Sequence, residues 1–339
     1  MESGMPGRAS LRDVAAAAGV SAATASRVLS RTGDFSPATR TAVLEAAARL
    51  GYDRSSTARG RRPHPDPQLI ELVVGGLGGG WTSQVVQGAH ERAFDLGYDL
   101  VLTRERDDPT DDWPMRIAAR RSSGVVLALI TPTRRQLELF AGFAVPTVLL
   151  DPQARTDLGL VTVGATNRAG GADAARHLVA QGYERFAFAS GRLRYRFGRE
   201  RERGFREGLA EALPGAVVEA VEADWSHEVP RATRDRLLEL SAEGRLGVFA
   251  FNDGVARAIA AAVTDAGRRV PDDVGVVGFD DDPIQRVRGI PLTTVRQPIR
   301  EMAARAVELV DGLRRGEAVM PRQVELPTEL IVRGSTGSV

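Results

Sequence analysis

Residues 11–30 read LRDVAAAAGVSAATASRVLS, and the punctuation in and around this stretch decides how the first part of the chain folds. Ser10 followed three residues later by Asp13 has the form of a capping box, with Asp in place of the stronger Glu or Gln. Leu11, Val14 and Ala18 then share one helical face, and Gly19 supplies the stop. Ser21 caps a second predicted helix that runs to about Leu29, with Val28 and Leu29 turned inward. Only Ala18-Gly19-Val20 or so joins the two helices, which is helix-turn-helix spacing. Downstream, Ser36-Pro37 is an N-cap followed by Pro at the first helical position, opening a third helix through about Leu50.

Charge sets this segment apart. Through residue 63 the chain holds ten arginines against five acids, a net +5, whereas the full 339 residues carry 45 basic and 44 acidic side chains and a net +1. A basic helical module on a mildly acidic body points to a polyanion partner for the first part alone. Every basic residue is Arg, and an all-arginine surface binds phosphates well. On the second helix, Ser21, Thr24 and Ser26 are short hydroxyls near a helix N-terminus, suited to phosphate oxygens. Arg27 has the reach for a guanine edge. A solvated helix in a generic three-helix bundle explains the same residues on that helix alone; the charge asymmetry and the linker behind it favour DNA.

The linker is Arg59–Pro67, RGRRPHPDP, whose three alternate prolines neither continue a helix nor pair centrally in a sheet. From Leu69 the rhythm changes to short apolar runs at 69–74, 99–103, 124–130, 145–150, 160–163, 185–190, 247–251 and 274–279. Amphipathic stretches such as 83–96, 168–181, 200–213, 230–243 and 254–267 lie between them. Near-continuous apolar strands alternating with helices imply parallel sheets covered on both faces. The roughly 270 residues beyond the linker exceed one ordinary sheet, so the body is expected as two doubly wound parallel-sheet α/β subdomains behind an all-α headpiece.

Other classes fail on specifics. The absence of cysteine removes disulfide scaffolds, Cys-ligated zinc and thiol nucleophiles together. The opening MESGMPGRAS has no apolar core and no run of ~18 apolar residues follows, so a cytoplasmic protein without membrane insertion is expected. Gly76-x-Gly78 after a strand resembles a dinucleotide-binding turn, yet that motif needs glycine at 81 and finds Trp81. Three consecutive carboxylates, Asp280-Asp281-Asp282, cannot all face one metal ion, and His64, His90, His177 and His227 show no ligand spacing. No G-x-S-x-G elbow occurs. Neither metal, cofactor nor catalytic residue is therefore expected, and an NAD-dependent enzyme is disfavoured. A transport binding protein is the nearest alternative for the body, but it needs a signal peptide and does not carry a basic headpiece.

In 11–30 and 36-SPATRTAVLEAAARLGY-52 the chain resembles the lactose-repressor/galactose-repressor family of bacterial transcription regulators. The likeness resumes in 269-RVPDDVGVVGFDD-281, 291-PLTTVRQP-298 and 328-TELIVRGST-336. The resemblance implies a homodimer whose paired headpieces enter the major grooves of a pseudo-palindromic operator. It further implies a body like a periplasmic sugar-binding protein, with a small effector, sugar or nucleoside, in the cleft. The expected divisions are a headpiece at 1–54, a linker at 55–68 and an effector-binding and dimerisation domain at 69–339. Within the last, one subdomain takes about 69–163 and 298–322, the other about 164–297 and 323–336.

By the same resemblance the DNA-facing residues are Ser21, Ala22, Ala23, Thr24, Ser26, Arg27 and Ser30, with Thr39 on the third helix and Arg59 and Arg61 in the linker. Ala22 and Ala23 fall where family members choose their operator, and their methyls suit thymine. Arg61 stands where the family carries a leucine wedge for the minor groove, and arginine is a poor apolar wedge. With no heptad segment after Thr336, a dimer is expected rather than a coiled-coil tetramer.

Effector contacts map by that resemblance onto Trp81, Asp151, Arg199, Trp225, Asn252, Asp280 and Gln297. Independently of it, Asp151, Asn252 and Asp280 follow apolar runs, and ligands bind outside the carboxyl ends of open parallel sheets. Fixed carboxylates, amides and an Arg suit hydroxyls, and an aromatic face suits the C–H side of a sugar ring. One departure matters: Gly79-Gly80-Trp81-Thr82 has Thr82 where the purine-responsive members carry a second aromatic residue, which favours a sugar.

Overall fold

The computed structural model describes residues 9–29, 35–50, 52, 68–105, 112–153, 159–190, 195–223, 228–283 and 291–337. Ser30, Arg59, Arg61 and Trp225 lie outside these residues, as does the expected linker apart from Gln68. In chain order the elements begin with α1 (Leu11–Ala17), α2 (Ala22–Leu29), α3 (Pro37–Arg49), β1 (Leu69–Val74), α4 (Gly80–Asp95) and β2 (Asp99–Arg104). Next come α5 (Trp113–Arg120), β3 (Gly124–Ala128), α6 (Arg134–Gly142), β4 (Thr147–Leu150), β5 (Val161–Ala165), α7 (Asn167–Ala180) and β6 (Arg185–Ser190). Then follow α8 (Arg196–Ala212), β7 (Val218–Glu222), α9 (Arg231–Ala242), β8 (Leu246–Ala250), α10 (Asp253–Asp265) and β9 (Val274–Asp280). The last are β10 (Thr293–Arg296), α11 (Ile299–Arg314), β11 (Gln323–Leu326) and β12 (Glu329–Ile331).

The chain forms two compact units. One gathers Met1–Gln68 with Asp112–Ser123 and Pro132–Pro146; the other holds Leu69–Asp111, Gly124–Thr131 and Thr147–Val339. In the first, the local signals act as read. Ser10 Oγ accepts from the Asp13 amide at 3.3 Å while the Asp13 carboxylate accepts from the Ser10 amide at 2.7 Å, a complete capping box. The Ser10 amide, and the Ser10 hydroxyl that also donates to the carboxylate at 2.7 Å, hold the Asp13 carboxyl below its ordinary pKa. Gly19, at φ +66°, makes the left-handed turn that ends α1. The Thr24 amide donates to Ser21 Oγ at 3.0 Å and the Thr39 amide to Ser36 Oγ at 3.1 Å, so both later helices start on a hydroxyl cap. Val14, Ala25, Val28, Val43 and Ala46 are buried between the three helices.

This unit also takes in α5 and α6, although 112–146 was expected within the body. Trp113 packs on Phe140 with ring centroids 5.9 Å apart, which joins α5 to α6. Arg135 meets Glu45 at 2.9 Å between α6 and α3. That pair is at least half exposed, so its contribution to stability is small.

The body is the expected doubly wound α/β arrangement. One sheet runs β11-β5-β4-β3-β1-β2, wholly parallel. The other runs β12-β10-β9-β8-β6-β7, parallel except that β12 is antiparallel to β10. All five residues of β3 and all five of β8 are buried, as strands covered on both faces require. Val85, Ala89, Met302 and Val307 of α4 and α11 pack on the first sheet. Leu178, Phe205, Leu237 and Ile259 of α7–α10 pack on the second.

Four strands lie outside the apolar runs of the sequence. Three are edges, β7, β11 and β12, where polar residues are tolerated. The fourth, β10, buries two threonines whose hydroxyls are satisfied: Thr294 donates to Asp253 at 2.5 Å and Thr293 to the Arg333 carbonyl at 3.0 Å. β11 pairs in parallel with β5, so Gln323–Leu326 belongs to the first sheet rather than to the second subdomain as expected. The chain thus passes between sheets after Ala165, after Arg296 and after Leu326. Thr166 and Thr328 tie the first and third passages together, the Thr328 amide donating to Thr166 Oγ1 at 2.9 Å. Among the described residues, no helix is long and apolar enough to cross a membrane.

Candidate functional site

The N-terminal face is carried by α2. Ser21, Ala22, Ala23 and Arg27 are exposed, Thr24 and Ser26 are half-buried, and Ala25 and Val28 turn into the core. The Arg27 guanidinium lies 5.3 Å from the centroid of Phe35, a cation–π contact that restrains a long side chain. Ser21 Oγ sits 2.9 Å from Thr24 Oγ1, so the hydroxyls expected at phosphates also build the helix start. The helix carries no acidic residue. Thr39, half-buried on α3, places its hydroxyl 2.8 Å from that of Ser36.

In the body, a cavity of about 340 Å³ opens at the carboxyl ends of both sheets. The first sheet's side supplies Gly78 to Thr82 at the start of α4, Leu129 and Asp151. The second supplies Phe197 and Arg201 of α8, Asn252 to Gly254 after β8, Asp280 and Asp282 around the end of β9, and Gln297 after β10. Trp81, Asp151, Asn252, Asp280 and Gln297 therefore come together as the sequence implied. Arg199 does not. It is exposed on α8 and off the cavity wall, and the arginine that lines the wall is Arg201, two residues on.

A close helix crossing sets Arg201 in place. A Cβ at Gly204 would overlap the Arg168 carbonyl oxygen, and one at Gly171 would overlap that of Arg201, so α7 and α8 meet through glycine. The Arg201 side chain, 2% exposed, then donates to Asn167 Oδ1 at 2.8 Å and to the Phe251 carbonyl at 2.5 Å. Its guanidinium lies 3.6 Å from the Phe279 centroid and 3.6 Å from Asp280 Oδ1. Burial draws its pKa down while Asp280, Asp151 and Asp253 push it back up.

Around this cation stand several buried carboxylates. Asp280 accepts from Gln297 Nε2 at 2.6 Å, yet burial lifts its pKa to about 6 against the pull of Arg201. Burial likewise lifts Asp151 to about 6. Asp253 rises to about 8 through burial and then the charge of Asp280, although it accepts from Thr294 and from the Asp282 amide at 2.8 Å. Asn252 splits its role: Oδ1 caps α10 at the Val255 amide, 2.8 Å away, while the residue lines the cavity. Asp281 faces elsewhere and pairs with Arg296 and Arg333, each at 2.8 Å. Asp151 and Asp280 have φ of +48° and +107°, backbone that non-glycine residues adopt at a cost of about 1–3 kcal/mol and that clusters at ligand sites. The wall is thus rich in acceptors, beside the indole of Trp81: it suits a ligand that donates hydrogen bonds and presents an apolar ring face.

The raised acid has a measurable consequence. Between its ordinary 3.8 and about 6, native Asp151 holds a proton that the unfolded chain has released. Its contribution to stability therefore falls as the pH rises through that window and is flat above it. Asp151→Asn, fixed in the neutral form, is expected to gain on the parent by roughly 2 kcal/mol between about pH 4 and pH 7. Urea melts at both pH values measure this; a gap that does not change with pH shows that Asp151 titrates normally.

Comparison with known proteins matches both parts. Residues 10–55 match the model of bacterial regulatory proteins of the lacI family, and residues 175–336 match that of a periplasmic binding protein-like domain. The ribose operon repressor of Halalkalibacterium halodurans is 30% identical over 328 residues, covering 96% of each chain. Among solved structures, a transcriptional regulator CelR–cellobiose complex superposes with a TM-score of 0.70 at 29% identity, over 97% of this chain and 100% of that one. The lac repressor dimer bound to operator and the anti-inducer ONPF gives 0.67 at 27% identity, over 98% and 100%. With a capped helix-turn-helix ahead of two parallel-sheet subdomains that share a polar cleft, the chain belongs to the lacI family of bacterial regulatory proteins.

Proposed function

We propose that the protein is a repressor that binds a pseudo-palindromic operator as a homodimer and changes its operator affinity when a small sugar occupies the cleft. The headpiece is 1–54, the linker 55–68 and the regulatory body the remainder, with effector binding linked to DNA affinity through the arrangement of the two subdomains. The observation that carries the reading is the exposed edge of α2, where Ser21, Ala22, Ala23 and Arg27 stand together without an acid. In the cleft, Asp151, Asp280, Asn252 and Gln297 take ligand hydroxyls, Arg201 replaces Arg199 as the cationic member, and Trp81 offers a ring face. The ribose repressor and the CelR–cellobiose complex among its relatives support a sugar. A regulator, not an enzyme, is the role this describes.

Selection from random duplexes, followed by mobility shifts, tests it. Arg27→Ala is expected to cost about 1–3 kcal/mol in operator binding and to relax the base preference. Parent binding should fall steeply with salt. An Arg27→Ala protein with the parent's footprint and sequence preference removes α2 as the reading helix.

A further inference from the structure

The cleft continues past Trp81. A second pocket of about 220 Å³ shares Trp81, Thr82, Leu129 and Phe197 with the first and adds Gln153 and Tyr195. The two differ in chemistry. The first holds carboxylates and Arg201; the second holds ring faces, with Tyr195 and Phe197 stacked at 7° and centroids 5.4 Å apart. Phe197 is common to both, since the Arg201 guanidinium lies 5.1 Å from its centroid. The Gln153 amide is already engaged: Nε2 donates to the Leu129 carbonyl at 2.6 Å, and Oε1 accepts from Thr131 at 3.3 Å. In the first pocket, Gln297 is 3% exposed and its Oε1 has no hydrogen-bond partner among the described residues, a buried acceptor left for a ligand hydroxyl.

We propose that the effector is a sugar of at least two rings, one held by Asp151, Asp280 and Gln297 and the next packed by its C–H face against Trp81 and Tyr195. This rests on the sugar reading above and adds ring number to it. The first pocket lies just inside the range of about 300–1,000 Å³ typical of ligand sites and the second lies below it, so the second extends the first instead of forming a site of its own. A nucleobase would find ring faces in the second pocket, but its polar edge would meet an amide already engaged. A sugar ring needs only the faces there, with its outer hydroxyls left to water.

Titration calorimetry on the full chain with glucose, ribose, cellobiose, maltose and adenosine tests this, with Tyr195→Ala and Tyr195→Phe beside the parent. At least one disaccharide is expected to bind about tenfold tighter than glucose. Tyr195→Ala should erase that advantage and leave glucose unchanged, while Tyr195→Phe keeps it. Glucose or ribose binding as tightly as the better disaccharide overturns the two-ring proposal but leaves a sugar effector standing. So does Tyr195→Ala weakening both sugar sizes alike. Adenosine as the sole binder, or no binding by any probe, overturns the sugar reading and this proposal with it.

Discussion

Arg201→Met is expected to cost the fold about 3–5 kcal/mol near pH 8. Methionine keeps the apolar stem, so the loss reports on the guanidinium. That group is buried on the Phe279 ring and supplies donors to Asn167 and to the Phe251 carbonyl. Its charge also holds Asp280 and Asp151 down to about 6. Without it Asp280 loses the cation that holds it down and Asp151 keeps only the weaker pull of Arg196, so the pKa values of both rise further. Near pH 5 they take up protons instead of standing ionised, so the loss should shrink there. Urea melts of parent and variant at the two pH values decide it. The same loss at both would mean that Arg201 acts through packing alone.

Gly204→Val should come next in size. The added Cβ would run into the Arg168 carbonyl, a backbone atom with no rotamer to change. α7 and α8 are fixed on the sheet by Ala174, Leu178, Phe205 and Leu209 in one core, so they cannot separate without opening it. Overpacking typically costs about 1–3 kcal/mol, and a clash with backbone belongs at the upper end. Effector affinity should fall too, because Arg201 lies one turn earlier on the same helix. Gly198→Ala is the control. A Cβ there meets nothing within 4 Å, and alanine gains about 0.5–1 kcal/mol over glycine inside a helix. If Gly204→Val melts with the parent, α7 and α8 do not pack as closely as described.

The contrast between Arg199 and Arg201 marks how far the sequence carries. Caps at Ser10, Ser21 and Ser36 are local devices, a few residues long, and they delivered the three headpiece helices almost to the residue. Buried parallel strands announce themselves as apolar runs, which is why the central strands of both sheets were legible. In RFGRERERGFRE, by contrast, arginines recur so often that similarity alone does not fix the register. Helical periodicity does. Phe197, Gly204, Phe205, Gly208 and Leu209 are buried on α8, and Arg201 falls on that stripe while Arg199 does not. An arginine on an apolar stripe was the available signal. The strand TTVR at β10 hid for the opposite reason: its threonines are buried only because Asp253 and the Arg333 carbonyl, distant in sequence, receive their hydroxyl protons.

The three passages between sheets bear on how the chain is made. A nascent chain that has reached residue 297 has β1–β5 of the first sheet and β6–β10 of the second. Each sheet then lacks one edge strand, β11 or β12, and the first also lacks α11, whose Ile299, Met302 and Val307 cover its face. Synthesis of one half therefore cannot finish before the other begins, and apolar surface on the first sheet stays open while β6–β10 of the second are being made. Such intermediates expose what aggregates. Both halves mature together, over the short stretch from 299 to 331, so a ribosome that stalls inside the second half strands the first one unfinished as well.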